Sequence, residues 1–167
     1  MREHYSPKTG AIIGSFRKNY VQVLEDWHIF TGAGLQVTSP KGTPVIRPDE
    51  EFVRFESDDP ELSDADIQRI ALHRILRADF VYAVLPEGYL GNTTSYEIGQ
   101  VLARNRPLYC GEHPLDLPIE IPADNIASAR ELVDRFQVSA PQPVLSSLVG
   151  ESERLEYNLL TGNFLEI

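Results

Sequence analysis

The stretch of sequence that most restricts the fold is residues 80–85, in which all six side chains are hydrophobic. A strand with one solvated face alternates apolar and polar residues, whereas a central parallel strand is buried on both faces and shows an unbroken apolar run. Residues 11–16 form a second apolar run, which feeds a turn at Gly14 and Ser15. Further short strands are predicted at 36–40 and 107–110. The pattern therefore predicts a parallel sheet.

Segments with helical periodicity separate these strands. From Asn19 to Trp27 apolar residues recur every three or four positions, which predicts an amphipathic helix that ends at Gly32 and Gly34. Ser63, with Asp66 three residues later, is predicted to be the N-cap of a second helix. The predicted buried face of this second helix contains Ile67, Ile70, Ala71 and Ile75. Other helices are predicted at about 94–105, 124–136 and 144–160.

Alternating strands and helices predict a single α/β domain, an open parallel sheet with helices on both faces. We expect this domain to span residues 1–140. A proline-containing linker at 140–143 leads to a C-terminal helical extension, 141–167, that packs on the same domain or on a partner subunit. Residues 41–62 contain three prolines and predict a long excursion whose role the sequence leaves open.

Composition and charge exclude several classes of function. The chain has 167 residues, a formal net charge of −10 and no basic stripe, which argues against binding to a nucleic-acid polymer or an anionic membrane. No apolar run approaches the roughly 20 residues that cross a bilayer. A lone cysteine, Cys110, favours a reducing compartment, so we expect a cytoplasmic protein. His4, His28 and His113 lack metal-ligand spacing, and we expect neither a metal nor a cofactor.

The loop after the first predicted strand carries the first candidate site. Gly14 and Ser15 precede a helix, and the N-terminus of a helix presents backbone N–H groups and a favourable dipole to an anion. Arg17 can bind phosphate oxygens in a fork. The alternative is a tight turn in which Arg17 and Lys18 are simply solvated.

The loop after residues 80–85 carries the second candidate site. Gly88 and Gly91 allow a ligand to approach the backbone closely, and three short polar side chains follow at 92–94. Glu97 lies one turn into the next predicted helix. Because Thr94 and Glu97 also have the spacing of a capping box, a purely structural role for this glutamate stays open.

Other polar and aromatic residues have structural explanations. His73 is expected on a solvated helix flank, and Asp79 is expected to cap or pair at the entry of a strand. Phe52 and Phe55 are expected to pack in the core, with stacking on a base as the alternative.

Four segments, in order, resemble the nucleoside 2-deoxyribosyltransferase family, and most closely its deoxynucleoside 5′-monophosphate N-glycosidase branch: residues 14–17, 78–84, 88–91 and 96–99. The resemblance covers about residues 11–112. It implies a flavodoxin-like fold and a homodimer or higher oligomer with the active site near a subunit boundary. It also implies that Glu97 attacks C1′ of the sugar, and that residues 14–17 bind a 5′-phosphate.

Two positions depart from the family pattern. The family has an aspartate eight residues before the position of Asp79, where this chain has Ala71. Transferases of the family also have an aspartate six residues before the nucleophile, where this chain has Gly91. The departing base is thus left without an evident general acid. His73 or a residue from 41–62 could take the place of the missing aspartate.

The leading hypothesis is an enzyme that cleaves or transfers the N-glycosidic bond of a nucleoside or nucleotide, with Glu97 as nucleophile. A non-catalytic nucleotide-binding or sensing module is the alternative, and an interaction domain that uses the segment from Val144 is a third reading. The candidate substrate-binding residues are Gly14, Ser15, Phe16, Arg17, Gly88, Tyr89, Gly91, Asn92, Thr93 and Thr94.

Overall fold

A computed structural model describes residues 7–41 and 54–138. Four parallel strands form one sheet in the order β2-β1-β3-β4. The strands are β1 Thr9–Gly14, β2 Gln36–Ser39, β3 Phe80–Val84 and β4 Leu108–Cys110. The helices are α1 Phe16–Gly32, α2 Asp64–Arg77, α3 Asn92–Ala103 and α4 Ala129–Gln137, and short 3-10 segments occur at Pro86–Gly88 and Ala123–Asn125.

The predicted open parallel α/β sheet is confirmed. Its strand order is that of the first four strands of a flavodoxin-like fold. β1 and β3 run in register from the pair Gly10 and Phe80 to the pair Gly14 and Val84. A single parallel bridge from Cys110 to Ile126 extends the sheet beyond β4.

Helices cover both faces of the sheet, because successive side chains of a strand point to opposite sides. On one face Ile13, Ala83 and other strand residues pack with Ile98 of α3 and with α2. On the other face Ile12 and Tyr82 pack with α1 and α4. All five residues of β3 are buried, as its unbroken apolar sequence predicts.

Several predicted helix positions are corrected by the structure. α1 begins at Phe16, so this residue belongs to the helix and not to the preceding strand. Asn19, where the helical period of the sequence begins, has non-helical backbone angles and marks a kink within α1. The helix predicted at 124–136 begins at Ala129, after the capping box of Ser128, because residues 123–125 form a separate 3-10 turn. Ile70, predicted to be buried, is 39% exposed.

Other predictions fall on residues 1–6, 42–53 and 139–167, which lie outside the described part of the chain. They include the linker, the C-terminal helix, Phe52 and most of the 41–62 excursion. Within 7–41 and 54–138, no helix has both the length and the apolar character that a membrane span requires.

Candidate active site

A cavity of about 330 Å³ lies where the chain leaves the carboxyl ends of β1 and β3. From these neighbouring strands the chain turns in opposite directions: α1 covers one face and leads to β2, whereas α3 covers the other and leads to β4. Such a reversal opens a crevice in which ligands of open α/β sheets bind. The volume lies in the range of small-molecule sites.

The cavity brings the two predicted loops together. All the candidate site residues except Gly88 line it: Gly14, Ser15, Phe16, Arg17, Tyr89, Gly91, Asn92, Thr93, Thr94 and Glu97. Residues 14–17 come from the β1–α1 junction. Tyr89 and the residues after it come from the β3–α3 junction, about 75 residues later in the chain.

Gly88 has a structural role outside the cavity lining. Its φ of +72° lies in the left-handed region, and a Cβ there would lie 2.5 Å from the carbonyl oxygen of His113. The carbonyl of Gly88 also accepts a hydrogen bond from the backbone N–H of Leu115. This glycine therefore allows the loop to pack against residues 113–115.

Gly14 and Gly91 do line the cavity, for different reasons. A Cβ on Gly14 would lie 2.9 Å from the carbonyl oxygen of Val84, so the close pairing of β1 with β3 favours glycine there. A Cβ on Gly91 would meet only the hydroxyl of Tyr89, at 3.9 Å. Gly91 thus leaves open space in the cavity wall and no side chain over the start of α3.

The two helices that begin at the cavity lack side-chain caps. Ser15 precedes α1 and Gly91 precedes α3, and no side chain among the described residues bonds to the first turn of either helix. In contrast, Ser63 caps α2, and Ser128 forms a capping box with Glu131 on α4. At α1 the N–H of Lys18 bonds to the carbonyl of Ser15, and the other first-turn N–H groups of α1 and α3 have no acceptor within their own helix, so both helix starts present N–H donors at one cavity.

Glu97 is buried in the second turn of α3, with 5% of its surface exposed. Its Oε1 accepts a hydrogen bond of 3.1 Å from Nε2 of Gln68 on α2. The capping-box interpretation is wrong, because α3 starts at Asn92 and Thr94 is already inside it.

Burial raises the pKa of Glu97 to about 7, although the hydrogen bond from Gln68 lowers it. A position close to a helix N-terminus would favour the ionised carboxylate. The favourable field of a helix N-terminus fades after the first turn, and Glu97 lies beyond it, where desolvation dominates.

Charged residues that the sequence did not single out also line the cavity: Lys41, Asp58 and Arg74. Asp58 accepts a hydrogen bond of 2.8 Å from the backbone N–H of Phe55. At the β1–α1 side, Nζ of Lys18 lies 3.7 Å from the ring centre of Tyr89 and so connects the two loops.

Phe55 packs edge-on against Phe16, with 5.5 Å between the ring centres, and both residues line the cavity. Phe55 is only partly buried. The alternative of a ring available for stacking therefore stays open beside the predicted core role.

The positions that depart from the family pattern, Ala71 and Gly91, both line the cavity. His73 is exposed and does not. Asp79 has the pairing role that the sequence predicts, because its carboxylate accepts hydrogen bonds from the backbone of Lys8 and Thr9 at 2.8 and 2.9 Å. Although burial raises the pKa of Asp79, these bonds, together with a hydrogen bond from the Thr9 side chain and the charge of Arg106, outweigh that effect and leave the pKa below its usual value.

Gln68 and Arg74 were missed because they lie on a helix whose contacts the sequence does not reveal. Gln68 precedes Ala71 by one helical turn, so the expected aspartate position could have directed attention to it. Within the described ranges, no three histidine, cysteine or acidic side chains cluster as metal ligands would.

Comparisons with protein-family models, curated proteins and solved structures gave no match.

Proposed function

We propose that the protein cleaves or transfers the N-glycosidic bond of a nucleoside or nucleoside 5′-monophosphate, with Glu97 as nucleophile. One observation carries the proposal: a buried glutamate shares a cavity with two uncapped helix N-termini. Solvated glutamates are common on protein surfaces, whereas a buried carboxylate needs a reason.

The phosphate side of the proposal rests on the β1–α1 junction. The first-turn N–H donors of α1, to which Ser15 makes no side-chain cap bond, and the guanidinium of Arg17 suit a phosphate monoester. Lys41 and Arg74 add positive charge to the cavity lining of a chain whose net charge is −10. A local positive site can bind one phosphate although the whole molecule repels polyanions.

The reaction would follow the covalent route of a retaining glycosidase. The carboxylate of Glu97 forms a bond to C1′ while the bond from C1′ to the base nitrogen breaks, and its electron pair stays on the base. The base takes up a proton from a general acid. Water then hydrolyses the glycosyl ester: its oxygen bonds to C1′, the carboxylate of Glu97 is released, and the proton that water loses replaces the one given to the base. Transfer differs only in that a second base nitrogen replaces water.

The resemblance to the nucleoside 2-deoxyribosyltransferase family supports this route, with the homodimer or higher oligomer and the cytoplasmic location kept as predictions. Among the described residues of the 41–62 excursion, Asp58 is the carboxylate that lines the cavity, so it is the candidate to protonate the departing base.

The first prediction concerns release of free base. Purified protein incubated with ribo- and deoxynucleosides and their 5′-monophosphates is expected to release base from at least one compound, as measured by chromatography. Glu97→Gln removes the nucleophilic oxygen at nearly constant volume and is expected to lower the rate at least about 10³-fold.

The matched control is Glu120→Gln, which changes an exposed glutamate outside the cavity lining and is expected to keep the native rate. Equal rates in native protein and a folded Glu97→Gln variant would remove Glu97 from the mechanism.

A non-catalytic nucleotide-binding module is the second candidate, and Ala71 favours it. This residue lines the cavity where a family aspartate would assist the leaving base. A nucleotide that raises the melting temperature without releasing base would favour the binding module, because any ligand of the folded state stabilises it.

A further inference from the structure

A hydrogen bond between side chains joins α2 and α3, two helices that both contribute residues to the cavity lining. Gln68 lies in the second turn of α2 and Glu97 in the second turn of α3, 29 residues apart in sequence. Nε2 of Gln68 donates to Oε1 of Glu97 at 3.1 Å, and both residues line the cavity. No other described residue hydrogen bonds to this carboxylate.

We propose that Gln68 is the positioning residue for the nucleophile: its amide fixes one oxygen of Glu97 and leaves the other oxygen free to attack. This inference rests on the proposed function. Holding a nucleophile in its reactive orientation lowers the entropic part of a reaction barrier.

A neutral amide suits this task better than a cation. Lysine or arginine at position 68 would neutralise the charge that attacks C1′, whereas glutamine donates a hydrogen bond and leaves the negative charge in place. Donation to a carboxylate also favours its ionised form. Since burial has the opposite effect on Glu97, the amide partly offsets the rise in the pKa of this carboxyl group.

Other charged groups line the same cavity and must be kept constant in any test: Arg17, Lys41, Asp58 and Arg74. The hydrogen bond from Gln68 is the interaction that lowers the pKa of Glu97 against its burial. A change at Gln68 alone therefore isolates this contact.

The test compares Gln68→Leu with Gln100→Leu. Gln100 lies on α3 outside the cavity lining, where its side chain accepts a hydrogen bond from Arg104, so the control makes the same chemical change away from the site. We expect Gln68→Leu to lower kcat at least tenfold with little change in KM, and to move the acid limb of the pH–rate profile to higher pH. Gln100→Leu is expected to behave as the native protein does.

A second readout does not depend on activity. Infrared difference spectra between a protein and its Glu97→Gln counterpart follow the ionisation of this one carboxyl group. In the Gln68→Leu background the midpoint is expected at higher pH than in the native background, since a donor to the ionised form is lost. Gln68→Met, an unbranched helix-forming replacement, repeats the measurement if the leucine variant does not fold.

The two proposals fail in different ways. Absence of base release from the native protein overturns the proposed function, and the infrared midpoint still decides whether Gln68 and Glu97 are coupled. An unchanged midpoint and pH profile in folded Gln68→Leu or Gln68→Met, beside an active native protein, overturns the positioning role alone.

Discussion

Buried carboxylates at the residue scale occur on both sides of the sheet. Glu97 lies on α3 at the cavity, and Asp26 lies on α1 with 5% of its surface exposed. Gln22, one turn earlier on α1, donates a hydrogen bond of 3.3 Å to Asp26. Burial raises the pKa of Asp26 to about 6, and the bond from Gln22 only partly opposes this. Asp26 lies outside the cavity lining, so its effect should fall on stability.

Replacing Asp26 with asparagine is expected to stabilise the protein above pH 6. Because the folded pKa is above the ordinary value of 3.8, the native state binds more protons than the unfolded state between these values, and stability falls as pH rises through this window. The expected gain in unfolding free energy for Asp26→Asn is about 1–3 kcal/mol at pH 7.5 and close to zero below pH 4. Urea unfolding at both pH values measures it, and a gain independent of pH would contradict this explanation.

Individual residues show which features of the candidate site the sequence could predict and which it could not. Glu97 and the residues around Gly14 could be found because they follow strands, and strand ends meet at one edge of a parallel sheet. The role of Gly88 could not be found, because the contact with His113 that requires glycine joins distant parts of the chain. Gln68 was missed for the same reason, since its partner is 29 residues away.

Helix starts distinguish two classes of element. α2 and α4 begin at serines whose side chains accept hydrogen bonds from the first turn, at Ser63 and Ser128. α1 and α3 begin without such bonds, at the cavity. The sequence predicts Ser63 as a cap because Asp66 follows at the expected spacing. It misplaces the start of α3, because Gly91 carries no polar signal.

Alanine substitutions at two serines should separate these classes. Ser128→Ala removes a capping box and is expected to lower the unfolding free energy by about 1 kcal/mol. Ser15→Ala removes no side-chain cap, and a change below about 0.3 kcal/mol is expected for the ligand-free protein. Chemical denaturation of both variants measures the difference, and equal losses would show that Ser15 also caps its helix in solution.

For the whole molecule, one sheet joins the two cores. Trp27, the single tryptophan of the chain, packs against the core formed with α1 and α4. Cys110, its single cysteine, is fully buried in the core formed with α2 and α3, and burial raises the pKa of its thiol to about 12. The chain thus carries one natural reporter on each face.

The two reporters are expected to change together on unfolding. Both cores contain alternate residues of the same central strand, β3, so neither core can persist without it. Trp27 fluorescence and pulsed thiol labelling of Cys110 should give the same denaturant midpoint. Leu132→Ala, which opens the core beneath α4, is expected to lower both midpoints by an amount equivalent to about 2–5 kcal/mol. Separate midpoints would indicate that the two faces unfold independently.

The sequence was most informative about the fold of the whole molecule. Unbroken apolar strands between amphipathic helices lead to a covered parallel sheet, and the place of the cavity follows from the fold. The width of the cavity and the identity of its inner wall depend on how α2 packs against α3, which no local pattern encodes.

The absence of side-chain caps at the starts of α1 and α3 sets the stability of the free protein against the binding of an anion. An aspartate or serine cap of full strength at either helix would add about 1 kcal/mol to the stability of the free protein. It would also occupy the N–H groups with an internal acceptor and set negative or polar atoms against an arriving anion. For the proposed phosphate ligand, the stability of the free protein and the affinity for the ligand therefore place opposite demands on the same backbone amides.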